Sequence, residues 1–80
     1  MECDVHGYEL WEAIEEILYI LEECRIKGDR ELVIIHGYKS GQVLKNYFQS
    51  KKFLDEIARK GFNLRRKETT NPGISCFELI

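Results

Sequence analysis

No stretch of this sequence exceeds five consecutive apolar residues, and the longest, Ile17–Leu21, runs directly into Glu22 and Glu23. A membrane-crossing helix needs about 20 such residues and a secretory signal core about 7–15, so neither is expected. There is no CxxC pair: Cys3, Cys24 and Cys76 stand far apart and are odd in number. A thiolate zinc site is therefore disfavoured, and the simplest expectation is three reduced thiols packed as small apolar residues in a cytoplasmic protein. No linker, low-complexity tract or charge block divides the chain, which at 80 residues has the length of one small domain, residues 1–80. Its 44% hydrophobic and 32% charged residues exclude a disordered or fibrous chain.

Basic residues are missing from the first 24 positions, which hold eight acids. Residues 25–80 hold all twelve Lys and Arg against six acids. The net charge of −2 is thus the difference between a half at −8 and a half at +6. Such asymmetry points to a polyanion partner for the basic side. Solvated helix faces would produce the same count.

Glu2–His6 alternates, with Cys3 and Val5 on one face and Asp4 and His6 on the other, which reads as a short strand. From about Glu9 to Lys27, the positions Leu10, Ala13, Ile14, Ile17, Leu18, Leu21 and Cys24 recur at threes and fours, predicting an amphipathic helix that Gly28 ends. Leu32–Ile35 reads as a buried strand. A helical pattern from Val43 slips near Ser50-Lys51 and resumes at Phe53, predicting either a bend or two short helices. Residues 62–67 and 74–80 read as strands joined by the turn Thr69–Gly73. The order βαβα(α)ββ, with a parallel first pair, predicts an α/β (α+β) two-layer sandwich: helices on one face of a four-stranded mixed sheet.

Both histidines open a His-Gly-Tyr tripeptide, His6-Gly7-Tyr8 and His36-Gly37-Tyr38, thirty residues apart. The chance that both would be followed by Gly is about half a percent. Each stands where a strand ends and a helix is about to begin, so neighbouring strands would bring both to one carboxyl edge, where open α/β sheets bind ligands. Asp4 shares a strand face with His6 and can orient it as a general acid or base. The plain alternative is a strand-end histidine bonded to a loop carbonyl beside a solvated Asp4. In the second loop, Gly37 and Gly41 surround Lys39 and Ser40 ahead of a helix, permitting backbone approach to a phosphate, with Lys39 and Lys45 adding charge.

Cys3-Asp4-Val5-His6-Gly7 resembles the Leu-Asp-x-His-Gly motif that opens the Smr (small MutS-related) domain. Ile35–Gly41 resembles that family's second motif, His-Gly-x-Gly-x-Gly, and the resemblance covers nearly the whole chain. Three departures stand out: Cys3 replaces the usual Leu, Lys39 replaces the middle glycine, and the tail lacks the frequent Gly-Gly turn. The resemblance implies a fold similar to the C-terminal domain of translation initiation factor 3 and a nucleic-acid ligand, RNA or DNA, in some relatives at the ribosome. It also implies an endonuclease, a phosphodiester hydrolase that cleaves RNA or nicks DNA. Asp4 and His6 would then be the acid–base centre, and His36, Gly37, Tyr38, Lys39, Ser40, Gly41 and Lys45 would hold phosphate. The alternative is a non-catalytic nucleic-acid- or ribosome-binding module.

Residues 39–67 carry nine Lys or Arg against Asp55 and Glu56, and within them Arg65-Arg66-Lys67 is a candidate for phosphate-backbone contacts. Charges protecting an edge strand from aggregation would look the same. Tyr8, Trp11 and Tyr38 lie near the loops, and Tyr38 is the best placed to stack on a base. Magnesium or manganese held by Asp4 and water has thin support, because no second nearby carboxylate is evident. RNA or DNA preference and oligomeric state stay open, as does a third reading in which the acidic first helix docks a basic protein partner.

Overall fold

In the computed structural model, which describes residues 1–38 and 42–80, the chain runs β1 (Glu2–Asp4), α1 (Leu10–Lys27), β2 (Glu31–Ile35), α2 (Val43–Phe48), α3 (Lys51–Arg59), β3 (Leu64–Lys67) and β4 (Ile74–Leu79). The sheet order is β1-β2-β4-β3, with β1 and β2 parallel and β4 antiparallel to both its neighbours. The expected two-layer mixed-sheet architecture is therefore present.

Local chemistry sets the boundaries of the elements. At the start of α1 the Glu12 carboxylate accepts the Glu9 N–H at 3.1 Å, satisfying a donor that the helix leaves unpaired. At its end Gly28 takes the left-handed conformation (φ 74°), and its N–H and that of Asp29 return to the Cys24 carbonyl. The slip at Ser50 resolves as two helices. Ser50 is extended and caps α3 by accepting the Phe53 N–H at 3.3 Å, so α2 cannot continue through it. Two strands are shorter than their patterns. Beyond Gly61 (φ 93°), Phe62 returns its N–H to Ile57 and buries its ring, with the Arg25 guanidinium of α1 4.6 Å from the ring centre, so β3 starts only at Leu64. β1 closes at Asp4, although the Val5 N–H still reaches the Ile35 carbonyl at 2.9 Å.

The alternation places Cys3, Leu32, Ile34, Ser75 and Phe77 on the inner face of the sheet, against Ala13, Ile17 and Leu21 of α1, Leu44 and Phe48 of α2, and Phe53 and Ile57 of α3. Each fully buried Leu, Ile or Phe contributes roughly 1.5–3 kcal/mol by leaving water. An aromatic chain runs through this core, with Phe48, Phe53 and Phe77 in successive edge-to-face contacts at 5.0 and 5.4 Å between ring centres. The outer face carries Glu2, Asp4, Glu31, Glu78, Arg65 and Lys67 and has no helix over it among the described residues.

Candidate functional site

Because β1 and β2 are adjacent and parallel, with Asp4 opposite Ile35, both His-Gly pairs leave the sheet at the same carboxyl edge. Gly7 and Gly37 both take positive φ (80° and 76°), a conformation open to glycine at little cost. After β1 the Tyr8 N–H closes on the Val5 carbonyl at 3.0 Å. After β2 the N–H groups of His36 and Gly37 share the Gly73 carbonyl at 3.0 and 2.9 Å. The β3–β4 turn lies against this loop: a side-chain carbon on Gly73 would stand in ordinary contact with the Tyr38 ring (3.4 Å) and Gly37 Cα (3.7 Å), and more tightly against Asn71 Oδ1 (3.3 Å).

The two histidines sit in opposite environments. His6 is exposed, and its Nδ1 lies 2.6 Å from Asp4 Oδ1, which also accepts the His6 backbone N–H at 3.1 Å. These hydrogen bonds, the ring contact first, hold the Asp4 carboxyl below its usual range. Since the carboxylate only accepts, His6 Nδ1 carries the proton, and Nε2 is left without a partner among the described residues. That is the orientation a general acid–base histidine requires.

His36 is only 4% exposed. Its Nδ1 donates to the Gly37 carbonyl at 2.7 Å, and its Nε2 lies 2.8 Å from the buried Ser75 hydroxyl, which donates to it when the ring is neutral. The ring lies nearly parallel to Phe48, with centres 6.5 Å apart. With both nitrogens occupied, His36 is a poor direct phosphate ligand. The geometry makes it instead the strut that fixes the Gly37 carbonyl.

The other expected site residues divide. Gly37 and Tyr38 lie at the edge, Tyr38 partly exposed, and Gln42 reaches back to the Tyr38 carbonyl at 2.8 Å. Lys39, Ser40 and Gly41 lie outside the described residues. Lys45 is on α2, whose six residues form under two turns, so its start offers only a small dipole to an anion. Arg65, Arg66 and Lys67 are each engaged within the protein: Arg65 pairs with Glu78, and Lys67 pairs with Glu31 at 3.2 Å. Arg66 donates to the Phe48 and Ser50 carbonyls at the α2–α3 junction and covers the Phe77 ring. The triplet therefore stitches β3 to its neighbours. Arg30, Lys45, Lys51, Lys52, Arg59 and Lys60 make no ion pair among the described residues, and all but Arg30 lie on α2 and α3 or at the end of α3.

A cleft of about 310 Å³ opens between the two loops and α2, its lining including Gly7, Tyr8, the acidic Glu9, His36 and Val43. Among the described residues no group of three His, Cys, Asp or Glu is placed to hold a metal ion. Ser75 and Gly73 bond directly to the second His-Gly loop, and motif reading missed both. Ser75 carried a signal: it alternates with inward-facing Phe77, so strand parity already put a hydroxyl inside.

Residues 3–58 match the family model of the Smr domain. The chain belongs to the Smr domain family. It is 39% identical over 79 residues, 98% of this chain, to the endonuclease MutS2 of Acetivibrio thermocellus. It is 32% identical over 65 residues, 78% of this chain, to the endonuclease MutS2 of Finegoldia magna. The chain spans about a tenth of the length of these curated relatives (10% and 8%). The crystal structure of the Smr domain of Thermus thermophilus MutS2 has the same fold, with a TM-score of 0.73 at 26% identity, covering 99% of this chain and 96% of that one. Both motifs of this Smr domain fall within the matched residues, as does α1 between them. No helix among the described residues is long and apolar enough to cross a membrane.

Proposed function

We propose that this Smr domain is a nucleic-acid endonuclease module in which Asp4 and His6 supply acid–base catalysis at a phosphodiester. The observation that carries this reading is the 2.6 Å contact that fixes His6 Nδ1 on Asp4 and turns an unpartnered Nε2 outward at the carboxyl edge of the sheet. In that role Nε2 takes a proton from the attacking hydroxyl or gives one to the departing oxygen, while Asp4 stabilises the imidazolium. His36, Ser75 and Gly73 hold the Gly37 backbone beside it, and Tyr38 with the α2–α3 lysines contacts the strand. The related proteins named endonuclease MutS2 support the reaction class.

The test is incubation of the protein with labelled single- and double-stranded RNA and DNA, in magnesium, manganese or chelator. His6→Ala should lower cleavage by about 10²-fold or more while binding changes little. Undiminished cleavage by His6→Ala refutes the assignment. A second reading, a non-catalytic nucleic-acid- or ribosome-binding module, draws on one observation: the unpaired cations other than Arg30 stand on the helical layer, whereas Asp4 stands on the acidic outer face. It predicts salt-dependent binding with no scission under any metal condition.

A further inference from the structure

α1 buries Ala13, Ile17, Leu21 and Cys24, yet its solvent side is not purely polar. Trp11 is 63% exposed, Tyr19 62% and Ile26 72%. At 100° per residue these three, together with Glu12, Glu15 and Glu22, fall within a sector of about 100°. They form a stripe along the helix in which acids alternate with large apolar side chains, about 22 Å from Trp11 to Ile26. Burial in the core explains none of the three. Tyr19 and Ile26 lie roughly 12 and 22 Å along the helix from Trp11, too far to serve the Asp4–His6 edge where α1 begins. The acids also disfavour a nucleic acid. Glu15 makes no ion pair among the described residues, and although Glu12 accepts the Glu9 N–H and Glu22 pairs with Arg25, six acids on α1 and at its cap outnumber Arg25 and Lys27.

We propose that this stripe docks a basic amphipathic helix of a protein partner, whose apolar anchors pack between Trp11, Tyr19 and Ile26 and whose Lys or Arg residues meet the flanking glutamates. Charge complementarity selects this occupant. A symmetric antiparallel contact with a second copy, centred near Tyr19, would set Glu15 of one α1 against Glu22 of the other, a repulsion that disfavours the dimer. A head-to-tail contact with the basic α3 lacks the apolar half of the match, since its exposed residues are Lys51, Lys52, Asp55, Ala58 and Arg59. Recognition of a helix through a few spaced aromatic and aliphatic anchors is a common mode, and tryptophan and tyrosine are frequent anchors at interfaces.

The test uses the whole chain and its sole tryptophan, Trp11, as reporter. The probe is a synthetic 18-residue helix with Leu at i, i+3, i+4 and i+7 spacing and Lys elsewhere, and the control has the same Leu pattern with Glu. The Lys peptide should bind saturably and shift Trp11 emission to the blue, and the Glu peptide should not. Tyr19→Ala with Ile26→Ala should weaken binding by about ten-fold or more. Glu15→Gln with Glu22→Gln should weaken it and flatten its salt dependence, while Lys51→Ala with Lys52→Ala should leave it unchanged. No saturable binding, or equal affinity in the Tyr19/Ile26 variant, overturns the proposal. Two other outcomes also overturn it: a dimer of the chain that the Tyr19/Ile26 variant loses, which makes a second copy the occupant, or oligonucleotide binding that the same variant weakens.

Discussion

Removing the Ser75 hydroxyl tests the packing of the candidate site most directly. Ser75 and His36 are 3% and 4% exposed, and the 2.8 Å bond between them is the only partner of His36 Nε2 among the described residues. Ser75→Ala leaves that nitrogen buried without a partner, at a cost of about 1–3 kcal/mol. The lower end applies if water enters from the neighbouring cleft beside Gln49, which Ser75 also lines. In a domain of this size each kcal/mol lowers Tm by about 4–8 °C, so the variant should melt roughly 4–24 °C lower. Calorimetry of wild type, Ser75→Ala, His36→Leu and the double variant closes a cycle. The double variant should lose less than the sum of the singles, because no orphaned nitrogen remains once both partners are gone. A Ser75→Ala shift under about 2 °C, or strict additivity, would show that the bond does not hold the loop.

Three further outcomes follow from the same geometry. Asp4 titrates below the usual carboxylate value of about 3.9, so what its contacts add to stability is present above that value and is lost as pH falls through the depressed one. Carboxyl NMR should show this, and His6→Ala should move Asp4 upward; an unmoved Asp4 refutes the ring contact as cause. Phe48→Ala should cost about 3–5 kcal/mol in denaturant unfolding, since Phe48 is fully buried against Tyr47, Phe53 and His36, and a cost below about 1 kcal/mol would contradict that packing. Gly37→Ala and Gly7→Ala should each cost about 1–2 kcal/mol, because both need positive φ and neither added carbon meets a neighbour closer than 3.6 Å. A much larger loss at Gly37 would place the cost in its contact with His6 rather than in the backbone.

The sequence by itself determined the order of strands and helices apart from the division at Ser50, the amphipathic face of α1, the Gly28 stop and, given that β1 and β2 are neighbours, the shared edge of the two His-Gly loops. Each of these follows from short-range periodicity or from a connection rule that a βαβ unit obeys. It also paired Asp4 with His6, because residues two apart on a strand must share a face. Only the tertiary structure decided that the repeated tripeptides are unlike. The same Gly-Tyr follows both, yet His6 and His36 have opposite fates because beyond the strand ends one ring points to solvent and the other is buried beside Phe48. Long-range pairing also decided Arg65-Arg66-Lys67, whose partners Glu78, Phe48, Ser50 and Glu31 lie 13 to 36 positions away. Side-chain charge is written in the sequence, but whether a charge meets a ligand or a neighbour depends on which chain segments folding brings beside it.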